Sequence, residues 1–209
     1  MADIRATLWD FGGVISSSPF EAFRRYEREQ GLPDDFLRTL NATNPDTNAW
    51  ARFERSEVSF EEFCVLYEDE ARSAGGELDG REVMACLSGE VRPLMVEAIR
   101  RCRARLATGL ITNNVAAMDE GPGWRNVVPL DELFDVVIES SKVGYRKPDA
   151  RIYELACEQL GVEPAEVVFL DDLGVNLKPA AAMGMTTIKV VDADAALAEL
   201  EAAVGFALL

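Results

Sequence analysis

The sequence predicts an α/β protein built on a parallel sheet, and three observations carry that prediction. From Val91 onward, short apolar runs alternate at close spacing with amphipathic stretches, the pattern of parallel strands covered by helices on both faces. Several of these runs stop abruptly at polar residues: Leu8-Trp9-Asp10 near the start, Ile111-Thr112-Asn113 in the middle, and Leu170-Asp171-Asp172 late in the chain. Between the first run and Val91 nothing alternates with period two, and apolar residues recur only at helical spacing, so this stretch reads as a helical insert. The predicted organisation is an α/β core of residues 1–15 and 92–209, with a small helical domain of residues 16–91 inserted after the first strand.

The elements follow in order. Ile4 to Trp9 is an apolar strand that breaks at Asp10 and two glycines, and Ser16-Ser17-Ser18-Pro19 leads out of it. Phe20, Phe23 and Tyr26 mark a helix closed by Gly31, Asp34 to Leu40 a second, and Asn41 to Asn48 a turn-rich connection. Ser59-Phe60-Glu61-Glu62 has the form of a capping box opening a helix that Gly75-Gly76 ends, and a further helix covers Asp79 to Leu87. Trp50, Phe53, Phe60, Phe63 and Tyr67 form an aromatic stripe that reads as the core of this bundle more readily than as a pocket. Pro93 starts a helix whose last turns carry Arg100, Arg101, Arg103 and Arg105, where cations suit the helix dipole. Strands at Leu106–Thr112, Val136–Glu139, Val167–Leu170 and Thr186–Val191 then alternate with helices opened by Pro148-Asp149, centred on Leu177 to Met183, and covering Ala195 to Val204. The stretch from Ala117 to Pro129 reads as a loop, and its Trp124 is a candidate pocket residue.

Composition removes whole classes of function. The formal net charge of −16 opposes binding to nucleic acid or to an anionic membrane surface. The absence of histidine excludes Ser-His-Asp and Cys-His triads, His-ligated zinc and His general bases. Four scattered cysteines without a Cys-x-x-Cys pair suggest free thiols in a reducing compartment. With no apolar leader and no run long enough to cross a bilayer, the expectation is a cytoplasmic protein.

Right-handed crossovers give parallel strands one polarity, so the tips carrying Asp10, Thr112-Asn113 and Asp171-Asp172 open on the same sheet edge, where α/β proteins bind ligands. Singly, each has an ordinary explanation: Asp10 a turn former, Thr112-Asn113 a turn, Asp171-Asp172 a helix cap, Lys147 a surface lysine. Together they place three carboxylates, a hydroxyl, an amide and a lysine on one rim. Crowded carboxylates repel unless a cation sits among them, and an all-oxygen donor set suits Mg²⁺. Lys147 and the Asn113 backbone N–H are suited to phosphate oxygens, which leaves Asp10 placed to attack phosphorus in line.

These motifs resemble those of the haloacid dehalogenase-like (HAD) superfamily, whose four signatures match in order: Asp10-Phe11-Gly12-Gly13-Val14, Ile111-Thr112-Asn113, Lys147-Pro148-Asp149, and Val168-Phe169-Leu170-Asp171-Asp172-Leu173-Gly174-Val175-Asn176. The likeness is greatest to the N-terminal phosphatase domain of soluble epoxide hydrolases. It implies a Rossmann-like parallel sheet with a helical cap over the site, and hydrolysis of a small phosphorylated molecule. By resemblance Asp10 is nucleophile and Mg²⁺ ligand, the Gly12 carbonyl and Asp171 complete the protein's metal ligands, and Asp172 supports them. Thr112 and Asn113 hold the phosphoryl group, and Lys147 neutralises Asp10 and the phosphate. One departure stands out: phosphatases of the superfamily carry an Asp at the position of Gly12, as general acid and base. Its loss leaves two alternatives open, a metal-independent hydrolytic dehalogenase on the same scaffold and a catalytically weak binding or regulatory protein.

Overall fold

In a computed structural model, which describes residues 3–87, 89–114 and 128–209, the first apolar run becomes strand β1 (Ala6–Trp9), buried along its whole length. A strand covered on both faces has no use for polar alternation, and the one polar side chain in it, Thr7, accepts the Trp9 indole N–H at 3.0 Å. Past Asp10 the chain makes a single wide turn over Phe11–Ile15, closed by Ser16 N–H donating to the Phe11 carbonyl at 3.0 Å. The turn bends through Gly12 (φ −67°, ψ 129°) and Gly13 (φ 76°), and such wide turns recur at functional sites.

Five helices follow: α1 (Phe20–Gln30), α2 (Phe36–Ala42), α3 (Ala49–Glu54), α4 (Phe60–Ser73) and α5 (Gly80–Ala85). The capping box at the head of α4 forms as the sequence predicts, Ser59 and Glu62 each accepting from the other's backbone N–H. Helix α3 escapes the sequence reading because six residues show no periodicity; Asn48 starts it, its side chain accepting from Ala51 N–H at 2.8 Å. The five helices enclose their own apolar cluster around Phe23, Leu37, Phe53, Phe63, Tyr67 and Val83. Phe53, Phe63 and Tyr67 stack at centroid distances of 4.4 and 5.1 Å, and Trp50 and Phe60 pack at the margin, so the aromatic stripe is core. The two chain crossings that bracket these helices pair with each other: Ser16 bridges Val91, Ser17 N–H donates to the Glu90 carbonyl, and Arg92 N–H donates to the Ile15 carbonyl.

The chain then runs through α6 (Pro93–Arg103), β2 (Ala107–Thr112), α7 (Leu130–Leu133), β3 (Val136–Glu139), α8 (Ser140–Val143), α9 (Ala150–Leu160), β4 (Val167–Asp171), α10 (Gly174–Ala182), β5 (Thr186–Lys189) and α11 (Ala193–Val204). The strands form one sheet in the order β3-β2-β1-β4-β5, every pair parallel. Successive strand residues feed opposite layers. Trp9, Leu110, Leu170 and Ile188 pack with Met95 and Ile99 of α6 and Leu197 and Leu200 of α11. Leu8, Ile111, Ile138 and Phe169 pack with Ile152 and Tyr153 of α9 and Leu177 of α10. Gly109 has no side chain because a Cβ there would lie 2.6 Å from Leu8 Cδ2.

Strand β5 stops at Lys189, two residues short of the predicted end, and helix α10 begins at Gly174, three residues before Leu177. All four cysteines are unpaired, three of them buried. Among the described residues no helix is long and apolar enough to cross a membrane. Trp124 and most of the predicted 117–129 loop lie outside the described residues. The topology fixes the functional edge: β2 and β4 flank β1 on opposite sides, so the chain reverses its direction of winding at β1, and the crevice beyond the strand ends opens there.

Candidate active site

That crevice is where the predicted residues meet. Asp10 follows β1, Asp171 ends β4 and Asp172 follows it, and carboxylate oxygens of all three lie within 4.8 Å of one another. Lys147, from the segment before α9, reaches between them: its Nζ is 2.7 Å from Asp10 Oδ1 and 2.7 Å from Asp171 Oδ2. It is 1% exposed and its ammonium also lies over the Phe169 ring, so the surface-lysine explanation is excluded. The helix-cap explanation for the acidic pair fails too, because α10 is led by Leu173 with no side-chain cap.

Hydrogen bonds separate the three carboxylates by role. Asp10 Oδ1 accepts from Phe11 N–H at 2.7 Å as well as from Lys147, which fixes the plane of the carboxylate, while among the described residues Oδ2 takes no hydrogen bond. Asp171 is saturated: Oδ1 accepts from Leu173 N–H at 2.8 Å, Oδ2 from Lys147, and the Asn176 amide approaches both oxygens at 3.1 Å. Asp172 has a single long side-chain bond, from Ser18 Oγ at 3.4 Å. Its carboxylate sits against Gly13, where a Cβ would fall 2.2 Å from Oδ2. The second glycine of Gly12-Gly13 is thus required twice, by its positive φ and by the approach of Asp172.

Thr112 and Asn113 end the strand next to β1, on the same edge. Among the described residues the Thr112 hydroxyl has no hydrogen-bond partner, whereas the Asn113 side chain is fully occupied with Lys147. Its Oδ1 accepts from Lys147 N–H at 2.8 Å and its Nδ2 donates to the Lys147 carbonyl at 3.0 Å. Asn113 therefore grips the backbone that carries the lysine, leaving its own backbone N–H for a ligand. Gly12 is half-buried, two residues past Asp10, and among the described residues, its chain neighbours aside, nothing lies within 4 Å of where a Cβ would stand.

Two contributors have no role assigned from the sequence. Asn176 holds Asp171 from the first turn of α10 and is itself fixed by Tyr153 OH donating to its carbonyl at 2.7 Å. Arg92 donates from a guanidinium N–H to the Gly13 carbonyl at 2.7 Å, and its backbone N–H to the Ile15 carbonyl, pinning the wide turn. Asn176 lies inside the fourth motif, so its spacing from Asp171 held the signal; Arg92 is distant in sequence from the turn it holds, and no spacing announces it.

Among the described residues three carboxylates face one ammonium, so two formal negative charges are left without a cation. Burial pushes Asp10 up to about 8; Lys147 opposes the shift, and Asp171 and Asp172 reinforce it. Burial pulls Lys147 down, but Asp10 and Asp171 together hold it above the ordinary lysine range. Asp172 is raised to about 6, by burial first and then by Asp171. The donor set, all hard anionic oxygen with a charge deficit of two, fits a divalent cation such as Mg²⁺.

With the geometry in place, comparisons identify related proteins. Residues 4–184 match the family described as haloacid dehalogenase-like hydrolase. The chain is 36% identical over 98% of its length to mouse acyl-CoA dehydrogenase family member 10, and spans 19% of that protein. It is 31% identical over 99% of its length to pig bifunctional epoxide hydrolase 2, spanning 40% of it. Phosphatase MT3486 of Mycobacterium tuberculosis is 34% identical, with 87% of this chain and 85% of that one aligned. Among solved structures, a predicted HAD-like family hydrolase from Porphyromonas gingivalis superposes with a TM-score of 0.66 at 25% identity, covering 90% of this chain and 91% of that one.

Proposed function

The chain belongs to the haloacid dehalogenase-like hydrolase family, and from that premise we propose that it hydrolyses small-molecule phosphate monoesters with Mg²⁺, Asp10 receiving the phosphoryl group. The observation that carries the reading is the Asp10 carboxylate: one oxygen is held by Phe11 N–H and Lys147, the other has no hydrogen bond among the described residues, and the residue lies in a cluster with Asp171 and Asp172. The phosphatase name of the M. tuberculosis relative points the same way.

Mg²⁺ would be held by Asp10, the Gly12 carbonyl and one carboxylate of the Asp171-Asp172 pair. The resemblance gives Asp171 that place; the hydrogen bonds favour Asp172, because every lone pair of Asp171 is engaged with Lys147, Asn176 or Leu173. Asp171 then serves Lys147. The cation, when bound, neutralises negative charge on the carboxylates and on the phosphate oxygens. Lys147 keeps one N–H for a phosphoryl oxygen after meeting Asp10 and Asp171, and Thr112 Oγ1 and Asn113 N–H supply further donors. Asp10 Oδ2 attacks phosphorus, the P–O ester bond breaks, and the leaving alkoxide takes a proton from solvent. Water then attacks the phosphorus of the aspartyl-phosphate, loses a proton to solvent, and releases phosphate with the Asp10 carboxylate restored. With Gly12 in place of an acid, both proton transfers fall to water, which favours esters with good leaving groups.

In this reading residues 16–91 are the cap and residues 1–15 with 92–209 the core; the Ser16–Val91 pairing and the separate apolar cluster of the five helices support the division. The test is hydrolysis of p-nitrophenyl phosphate by purified protein with and without Mg²⁺. Metal-dependent release that disappears in Asp10→Asn supports the proposal. Chloride release from a 2-haloacid without metal would move the assignment to a dehalogenase, and phosphate binding without turnover to a binding protein.

A further inference from the structure

One buried ion pair has no part in the site as described. Glu54, the last residue of α3, is buried; its Oε1 accepts the Trp50 indole N–H at 2.9 Å. The cation that compensates it comes from the sheet side of the molecule. Arg146 Nε donates to Glu54 Oε2 at 2.5 Å, and a terminal N–H of the same guanidinium donates to the Pro45 carbonyl at 2.8 Å. Beside this fork, Ser56 Oγ donates to the Ser141 carbonyl at 3.0 Å. Among the described residues Arg146 is the only cation within ion-pair distance of Glu54. A buried carboxylate is costly unless paired, and the apolar helix cluster beside it has no packing need for one.

What this pair touches next is the lysine. Arg146 precedes Lys147, whose N–H and carbonyl are both bonded to the Asn113 side chain and whose ammonium is bonded to Asp10 and Asp171. The dipeptide is thus gripped from β2 through Asn113 and from α3 through Glu54. Fixing neighbouring residues from two elements removes the swing that a long lysine side chain otherwise transmits to its ammonium. We propose that Glu54, acting through Arg146, is a positioning residue that holds Lys147 in register with Asp10 when the five-helix insert is seated on the 141–146 segment. The consequence for catalysis rests on the phosphatase reading; the positioning itself does not.

Two measurements on the full chain test this together. Glu54→Gln keeps the acceptor for Trp50 and removes the charge; Arg146→Lys keeps the charge and loses the two-pronged fork, and serves if the first variant does not fold. Amide hydrogen exchange in the 141–149 peptide, which contains the Lys147 N–H, is expected to speed up about fivefold or more in either variant. The kcat for p-nitrophenyl phosphate with Mg²⁺ is expected to fall about tenfold, since small misplacements of a charged group cost one to two orders of magnitude. The double variant Glu54→Gln/Arg146→Lys should be no slower than the worse single one, because the residues act as a unit. Unchanged exchange in 141–149, or faster exchange with full kcat, overturns the proposal, as does a loss confined to melting temperature. If wild-type protein has no Mg²⁺-dependent turnover, the phosphatase reading fails, and the exchange result still decides whether Glu54 positions Lys147.

Discussion

Gly13→Ala puts a methyl group where Asp172 now lies. The built Cβ falls 2.2 Å from Asp172 Oδ2, 2.4 Å from its Cγ and 2.9 Å from its Cβ, where ordinary contact begins at 3.4 Å. The Asp172 carboxylate must retreat by about 1 Å, a displacement of the size that costs ~10²-fold in rate at a reacting centre. Alanine at φ 76° also sits in the left-handed region, which costs an L residue about 1–2 kcal/mol. For a chain of this size that cost lowers the melting temperature by about 2–8 °C. Gly12→Ala is the matched comparison: φ −67° and ψ 129° suit any L residue, and among the described residues, its chain neighbours aside, no atom lies within 4 Å of the new Cβ. Removing a glycine there restricts the unfolded chain and is expected to stabilise the fold by about 0.4–1 kcal/mol. Thermal melts of both variants, with Mg²⁺ titrated into the p-nitrophenyl phosphate assay, read out the two effects separately. Gly13→Ala should require more Mg²⁺ for half-activation and lose ~10²-fold in kcat. Wild-type Mg²⁺ dependence in a folded Gly13→Ala protein would refute the assignment of Asp172 to the cation.

Further outcomes follow from the same geometry. Gly12→Asp meets no described atom at its Cβ and restores an acid beside the leaving group, so hydrolysis of an alkyl phosphate should rise by ~10²-fold or more, and that of p-nitrophenyl phosphate, whose leaving group needs no proton, much less. Without metal, the contribution of Asp10 to stability is expected to be full below about pH 4 and to be lost as pH rises to about 8, because Asp10 in the fold holds a proton that the unfolded chain releases near 3.8; Asp172 contributes the same trend up to about 6. Melting curves across that range check this, and Asp10→Asn should flatten the slope while abolishing turnover. Asn176→Ala frees both oxygens of Asp171 from the amide, and a fall in kcat of about tenfold without loss of Mg²⁺ binding is expected, read by metal titration beside the assay.

Much of this was legible in the residues because the signals were local. Strands β1, β2 and β4 are short apolar runs with polar tips, and parallel topology alone brings Asp10, Asp171 and Asp172 to one edge. The aromatic stripe of the insert gave its core, since helical spacing and burial coincide at Phe53, Phe63 and Tyr67. What stayed hidden depends on contacts between distant segments. The division of labour within Asp171-Asp172 is set by Asn176, Lys147 and Gly13, none of which a pair of adjacent aspartates reveals. The Asn113 backbone N–H is the group the sequence offers to phosphate; that its side chain holds the Lys147 backbone, a contact across 34 residues, is not legible there. Helix α3 was too short to show a period, and with it went the Glu54–Arg146 pair.

The proposed phosphatase chemistry requires Asp10 to take a phosphoryl group beside a cation held by its acidic neighbours. A crystal structure of the protein grown with Mg²⁺ and beryllium fluoride examines it directly. The prediction is a fluoroberyllate bonded to Asp10 Oδ2, with Lys147 and the Asn113 N–H on its fluorines and Mg²⁺ against Asp172. An acidic cluster without metal, and Asp10 bare of fluoroberyllate, would contradict it.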